Sequence, residues 1–310
     1  MTDLTVRRVR FHLSGDDVPF VWNPQRPAFS VHCNLVTFLA PGFEKLIVAA
    51  TREAIPLMRD PRQVEEAELY LRQEAQHSAA HLTHFRALVR RWPGLQQVMD
   101  DVLASYENLN ATKPLAWRLA YAAIIEATFT PYFKVFLDHE DKLFAPGDER
   151  VASLFLWHFV EEIEHRSSAL MVYNAVHGDY LYRLRTIGPV IRHLSEVLSI
   201  VVRGFQRHVP AADGGHHARL LPDRITPRAM LAAAREARRL AGPGQGTYAG
   251  VPAREMAAIL AGIIRSQGPR HDPAHADTPP FADRWLARYR QEPRCAARWY
   301  SIGAKAVVGG

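Results

Sequence analysis

The 310-residue sequence has only two cysteines, Cys33 and Cys295, too few for a disulfide framework or a thiolate metal site. It has no apolar signal core near Met1 and no run of about 18 apolar residues. We therefore expect a cytoplasmic protein without a membrane span. The sequence also lacks a Walker loop, a dinucleotide-binding glycine fingerprint and a Gly-x-Ser-x-Gly elbow.

Positive charge is not concentrated in any one segment. The formal net charge is +6, and arginine-rich stretches such as residues 235–239 include acids or apolar residues. This alternation is typical of a solvated helix face rather than a nucleic-acid surface. We expect no nucleic-acid partner.

One stretch, residues 156–165, carries a chemically specific pattern. Read as a helix, it places His158, Glu162 and His165 at i, i+4 and i+7, on one stripe beside apolar residues. Two imidazoles and a carboxylate are costly to bury unless a charged group such as a divalent metal satisfies them. Glu161 and Glu164 lie off this stripe, and we predict that they are ordinary surface acids.

A second Glu-x-x-His motif, formed by Glu74 and His77, lies upstream in another helical pattern. A single Glu-x-x-His is weakly specific, but two copies on two helices are typical of ferritin-like dimetal bundles. Such bundles require one further glutamate on each of two other helices.

Glu44 and Glu126 meet that requirement. Glu126 is the only acid in a helix that is apolar on nearly all sides, and Glu44 precedes an apolar run. An unpaired glutamate in such a helix is expensive. The predicted metal ligands are Glu44, Glu74, His77, Glu126, His158, Glu162 and His165. We predict that His81, one turn after His77, is either a hydrogen-bond partner of a ligand, an extra ligand or a partly exposed histidine, and that His84 is on the surface.

These motifs carry a family resemblance. Residues 72–81 and 157–165, together with Pro41–Glu44 and Arg7–Phe11, resemble the bacterial family named "predicted metal-dependent hydrolase" over roughly residues 5 to 185. The metal pattern also resembles di-iron N-oxygenases of the p-aminobenzoate oxygenase type, whose extra histidine is matched by His158. Resemblance to ferritin-like sites implies that Glu74 and Glu126 bridge the two metals. One metal would then also bind Glu44 and His77, and the other Glu162, His165 and His158.

The helical patterns predict an all-α fold, a ferritin-like helical bundle with an additional C-terminal helical region. We expect an extended arm over 1–34, with or without one short strand, the bundle over 35–207, a linker over 208–226 and helices over 227–310. Within the bundle we expect helices over about 35–59, 61–91, 95–108, 115–138, 149–176 and 180–207. The C-terminal region would be an α-helical cap or an oligomerisation element, the latter consistent with a homodimer.

The predicted function is that of a non-haem di-iron oxygenase, which N-oxygenates or hydroxylates a small aromatic or amine substrate. Its cofactor would be two Fe ions, although Mn or a mixed Fe/Mn pair also suits these donors. Its partners would be the small-molecule substrate, O₂ and an external electron donor. Two alternatives remain: a dimetal hydrolase, with Zn as the metal, and a non-enzymatic metal-binding or ferroxidase-like protein. Phe43, Tyr121, Phe129, Tyr132 and Phe159 would either line a substrate pocket or, for most of them, belong to the core.

Overall fold

The computed structural model describes residues 4–15, 18–145, 147–240 and 246–301. The predicted all-α helical bundle is confirmed, and none of the described residues forms a strand. Residues 1–3, 16 and 17 of the predicted arm, residue 146 of the predicted bundle, and residues 241–245 and 302–310 of the predicted C-terminal region lie outside the described residues. The α-helices are α1 (Pro27–Ala54), α2 (Pro61–Arg91), α3 (Leu95–Thr112), α4 (Leu115–Asp138), α5 (Glu140–Leu143), α6 (Glu149–Glu164), α7 (Ser168–Val176), α8 (Tyr180–His208), α9 (Pro227–Leu240), α10 (Ala253–Ser266) and α11 (Pro280–Gln291).

Helix α1 is the central helix and packs against α2, α3, α4 and α8. It begins at Pro27 rather than at the predicted Leu35, because proline suits the first position of a helix. The helix also continues through Pro41. Gly42 has a packing role here, since a Cβ at this position would overlap the ring of Tyr106 on α3. By length and composition Pro27–Leu57 could cross a membrane, but 72% of its most apolar window is buried inside the protein.

Helix α2 begins and ends where the sequence predicts. The Asp60 side chain accepts a hydrogen bond from the backbone N–H of Arg62, and Pro61 occupies the first helical position. At the other end α2 stops at Arg91, before the Trp92-Pro93-Gly94 sequence. Local capping and proline signals are therefore sufficient to define this helix.

The predicted single helix over residues 149–176 is wrong, because the structure breaks it after Glu164. Asp148 caps the start of α6 by accepting from the backbone N–H groups of Arg150 and Val151. His165 occupies the C-cap position, and its backbone N–H still donates to the Glu161 carbonyl at 3.0 Å. A new helix, α7, starts at Ser168. The last histidine of the motif therefore lies at a helix end.

The described residues of the arm and of the C-terminal region pack against the bundle. The arm buries Phe11, Val18, Phe20 and Trp22 before α1 begins. Residues 208–226 contain two 3₁₀ helices, Ala211–Asp213 and Gly215–Leu220, and the second packs against α1 and α8. Farther along, α10 packs against α4, and α11 contacts α4 and α6.

Candidate metal centre

Seven buried side chains from four helices meet inside the bundle. They are Glu44 on α1, Glu74 and His77 on α2, Glu126 on α4, His158 and Glu162 on α6, and His165 at the end of α6. None of them is more than 3% exposed. The structure thus brings together all seven residues that the sequence selects as metal ligands.

Their potential donor atoms form two groups, and within each group the atoms lie within 4.8 Å of one another. One group comprises Glu44, His77 and His158, and the other comprises Glu74, Glu126, Glu162 and His165. His158 thus groups with Glu44 and His77, whereas we predicted it beside Glu162 and His165. Its Nε2 nevertheless lies 2.8 Å from Glu162 Oε1, so His158 borders both groups.

Most of these carboxylates lack hydrogen-bond partners in the described part of the chain. Both carboxylate oxygens of Glu44, Glu74 and Glu126 are buried without one, as is His77 Nδ1. Glu74 Oε1 lies 3.0 Å from His165 Nε2 but does not form a hydrogen bond of acceptable geometry. Buried carboxylates without partners are expensive, and two divalent cations would offset the charge of four of them. Oxygen and imidazole donors without thiolates fit iron, manganese or zinc.

The pKa values of these side chains reflect both their burial and the repulsion between neighbouring carboxylates. Burial raises the pKa of Glu44 and Glu126, and the neighbouring carboxylates raise it further. For Glu162 burial opposes ionisation, but His165 and the hydrogen bonds from His158 and His165 outweigh burial and lower its pKa. Burial lowers the pKa of His77, so that this imidazole is neutral and able to bind a metal.

Each of the three histidines is also held through its second ring nitrogen. His77 Nε2 lies 2.9 Å from Glu161 Oε2, and His165 Nδ1 donates to Gln73 Oε1 at 3.1 Å. His158 Nδ1 lies 2.8 Å from His81 Nε2. Metal-binding histidines are characteristically oriented by such a contact on the far nitrogen. His81 is therefore placed as a hydrogen-bond partner of His158.

Three predictions of surface positions are wrong. Glu161, Glu164 and His84 were expected on the surface, yet Glu161 and His84 are fully buried and Glu164 is largely buried. Arg7 of the N-terminal arm donates to Glu161 at 2.9 Å and to Glu164 at 2.8 Å. These contacts come from an element distant in sequence, so helical periodicity gave no signal for them.

The hydroxyl group of Thr37 on α1 contacts both His84 and His81. Thr37 Oγ1 lies 2.9 Å from His84 Nδ1 and 3.1 Å from His81 Nδ1. Burial lowers the pKa of His84 to about 3, so its ring is neutral. The contacts Thr37–His81–His158 thus connect α1 to the metal-binding face of α6.

A cavity of about 970 Å³ reaches the metal centre at Glu44, His158 and Glu162. Its other lining residues are mostly apolar. Among the described residues that line the cavity there is no lysine and no arginine. Phe43, Phe129 and Tyr132 line it, whereas Tyr121 and Phe159 are buried in the core. Residues of the C-terminal region, including Met230 and Tyr248, complete the wall.

Comparison with known proteins identifies the family. A family model described as "Predicted metal-dependent hydrolase" matches residues 5–239. The chain belongs to this family. The match extends well beyond residue 185, where the resemblance in the sequence was expected to fade, and includes most of α9. No curated protein and no solved structure matches the chain. The family description names hydrolysis, and so agrees better with the hydrolase alternative than with the oxygenase.

Proposed function

We propose that this member of the predicted metal-dependent hydrolase family is a two-metal enzyme that oxidises an apolar small molecule with O₂. The observation that carries the proposal is the helix-borne set of four glutamates and three histidines, which faces an apolar cavity at Glu44, His158 and Glu162. One glutamate from each of two helices and a Glu-x-x-His from each of two others is the pattern of di-iron and di-manganese carboxylate proteins.

The protein residues would divide the work between binding and orientation. The seven clustered residues would hold two iron ions, which supply redox chemistry when bound. Glu161, Gln73 and His81 would fix the ring orientation of the three histidines through their second nitrogens. The apolar walls would exclude water from the reacting end of the substrate.

The stoichiometry defines what else the reaction needs. Insertion of one oxygen atom into a C–H or N–H bond consumes one O₂, two electrons and two protons, and releases one water. The two electrons must come from an external reductant, such as a reduced iron–sulfur or flavin protein. The described cavity is lined by hydrocarbon and aromatic groups, which suits a neutral substrate and not a phosphorylated one.

Hydrolysis is the second candidate, and the family description favours it. In that reaction two metals would hold and acidify a water molecule, so the same ligands would serve with Zn²⁺. The absence of lysine and arginine from the described cavity wall then indicates a neutral ester or amide rather than a phosphoester. A metal store is a weaker candidate, because storage gives no role to a large apolar cavity beside the ligands.

The deciding experiment compares matched iron-loaded and zinc-loaded preparations. The oxygenase proposal predicts O₂ uptake and a change in visible absorption when the reduced iron form meets O₂, with no response from the zinc form. If the iron form takes up no O₂ and the zinc form hydrolyses a neutral ester such as phenyl octanoate without O₂, the hydrolase is correct. Glu126→Gln is the control in both preparations, because it removes one of the proposed metal ligands and should abolish either activity.

A further inference from the structure

A cluster of three polar side chains interrupts the apolar wall of the cavity. His32 Nε2 lies 2.6 Å from the Tyr132 hydroxyl and 3.4 Å from the Tyr248 hydroxyl, and the two hydroxyls are 3.2 Å apart. The three residues come from α1, α4 and the segment before α10, and all line the cavity. We call them the His32 cluster.

The Phe133 ring lies between the His32 cluster and the metal centre, with its centroid 5.6 Å from that of Tyr132 and 6.4 Å from that of His158. His32 and Glu44 are twelve residues apart on α1, which corresponds to about 18 Å along a helix axis. Tyr132 and Glu126 are six residues apart on α4, or about 9 Å. A molecule that touches both ends of the cavity must therefore be elongated.

Apolar side chains line the path between the two ends. On α1, Leu35, Leu39 and Phe43 follow one another at four-residue spacing, and all three line the cavity. On α4, Phe129 and Phe133 are also four residues apart, and both line the cavity. Residues four apart lie on one helix face, so the two helices present facing apolar stripes. The body of the bound molecule should be hydrocarbon or aromatic.

The His32 cluster carries hydrogen-bonding capacity but no charge. Burial lowers the pKa of His32 to about 4 and raises that of Tyr248 to about 12, and burial also raises the pKa of Tyr132. Two hydroxyls and one imidazole nitrogen cannot use all of their donor and acceptor positions among themselves. At least one hydroxyl oxygen retains a lone pair for a ligand.

We propose that the His32 cluster binds the hydroxyl or carbonyl end of an elongated, neutral, otherwise apolar substrate, while the opposite end of that substrate reaches Glu44, His158 and Glu162. This substrate assignment rests on the proposed function, because it requires the metal centre to be where the substrate reacts. A carboxylate or phosphate end would find no compensating lysine or arginine in the described wall of the cavity.

The test measures binding and requires no turnover. Metal-loaded protein is saturated with the neutral dye Nile red, which is then displaced by three probes that share one skeleton: butylbenzene, phenylbutanol and phenylbutyrate. At the His32 cluster phenylbutyrate should bind at least about tenfold more weakly than phenylbutanol, because its carboxylate must be desolvated there without a charged partner. Phenylbutyrate that binds as tightly as phenylbutanol and loses this affinity when Tyr132 and Tyr248 are both replaced by phenylalanine would overturn the proposal. Tight binding that survives that double replacement would place the carboxylate on the metals, and the comparison of phenylbutanol with butylbenzene then decides.

Variants then locate the polar contact. The double variant Tyr132→Phe, Tyr248→Phe should weaken phenylbutanol binding about fivefold, the effect of a lost hydrogen bond, and leave butylbenzene binding unchanged. Tyr106→Phe is the matched control, because Tyr106 also lines the cavity but its hydroxyl lies 3.4 Å from that of Tyr121. Equal weakening of both probes would mean that the cluster only supports the fold.

The two proposals can fail separately. Absence of O₂ uptake together with selective phenylbutanol binding would remove the oxygenase and retain the subsite. Normal O₂ uptake with no preference among the probes would retain the oxygenase and remove the subsite.

Discussion

Replacement of Glu126 by glutamine should change protein stability in opposite directions with and without metal. Glu126 is 2% exposed, and neither carboxylate oxygen has a hydrogen-bond partner among the described residues. The closest basic atom that the structure gives for it is His165 Nε2, at 3.6 Å. Glutamine keeps the size of the side chain and removes its charge, so this substitution isolates the electrostatic contribution.

The expected change in the free energy of unfolding of the metal-free protein is the difference between two costs. An uncompensated buried charge costs about 3 kcal/mol, and a buried amide that lacks partners still costs about 1 kcal/mol. The variant should therefore gain about 2 kcal/mol in its free energy of unfolding. In a protein of this size, about 2 °C of Tm corresponds to each kcal/mol, so the Tm should rise by about 4 °C.

In the metal-loaded state the same change would remove one of the proposed metal ligands. The affinity for metal should fall more than about 100-fold, since loss of even an outer hydrogen-bond partner costs about 10- to 100-fold. The Tm of Glu126→Gln in the presence of metal should consequently lie below that of wild type.

Thermal unfolding of both proteins, with chelator and with saturating metal, provides the assay. Glu107→Gln is the control, because Glu107 is exposed and its ion pair among the described residues is with the exposed Lys45, so the Tm of this variant should move by about 1 °C or less. A lower Tm for metal-free Glu126→Gln than for metal-free wild type would refute the electrostatic reasoning, because it would mean that the buried carboxylate is compensated by the protein itself.

Three further measurements follow from the same geometry. In metal-free protein Glu126 has a raised pKa, so its contribution to stability is full below its ordinary value of 4.5 and is lost as pH rises through the folded-state pKa. Buried histidines with a lowered pKa gain stability over the same range in both proteins, so the measured quantity is the Tm of Glu126→Gln minus that of wild type in chelator, which should grow from about pH 5 to about pH 8. A difference that shrinks over this range would contradict the assignment. His158→Ala should keep the fold and most of the metal, because six ligands remain, but should alter the visible absorption of the iron form after O₂ is added. Glu161→Gln should lower metal affinity about tenfold in a chelator competition with little change in circular dichroism, because the neutral amide holds His77 less firmly.

The sequence by itself determined the all-α fold, the bounds of α2 and the seven clustered residues, but not the break between α6 and α7. Glu-x-x-His places two donors on one face through local helix geometry, so the pattern around Glu74 and around Glu162 is readable without any tertiary information. Glu126 is equally evident, because a lone acid in an apolar helix is costly unless it is compensated. Capping by Asp60 and the proline at position 61 likewise define α2 locally.

Only the tertiary structure decided which groups surround that centre. Arg7 reaches Glu161 from the arm, Gln73 reaches His165 from another helix, and Tyr248 reaches His32 from the C-terminal region. These partners are far apart in sequence, and their meeting depends on how the helices pack rather than on any repeat along one helix. Periodicity therefore assigned Glu161 to the surface, whereas packing buried it against Arg7 and His77.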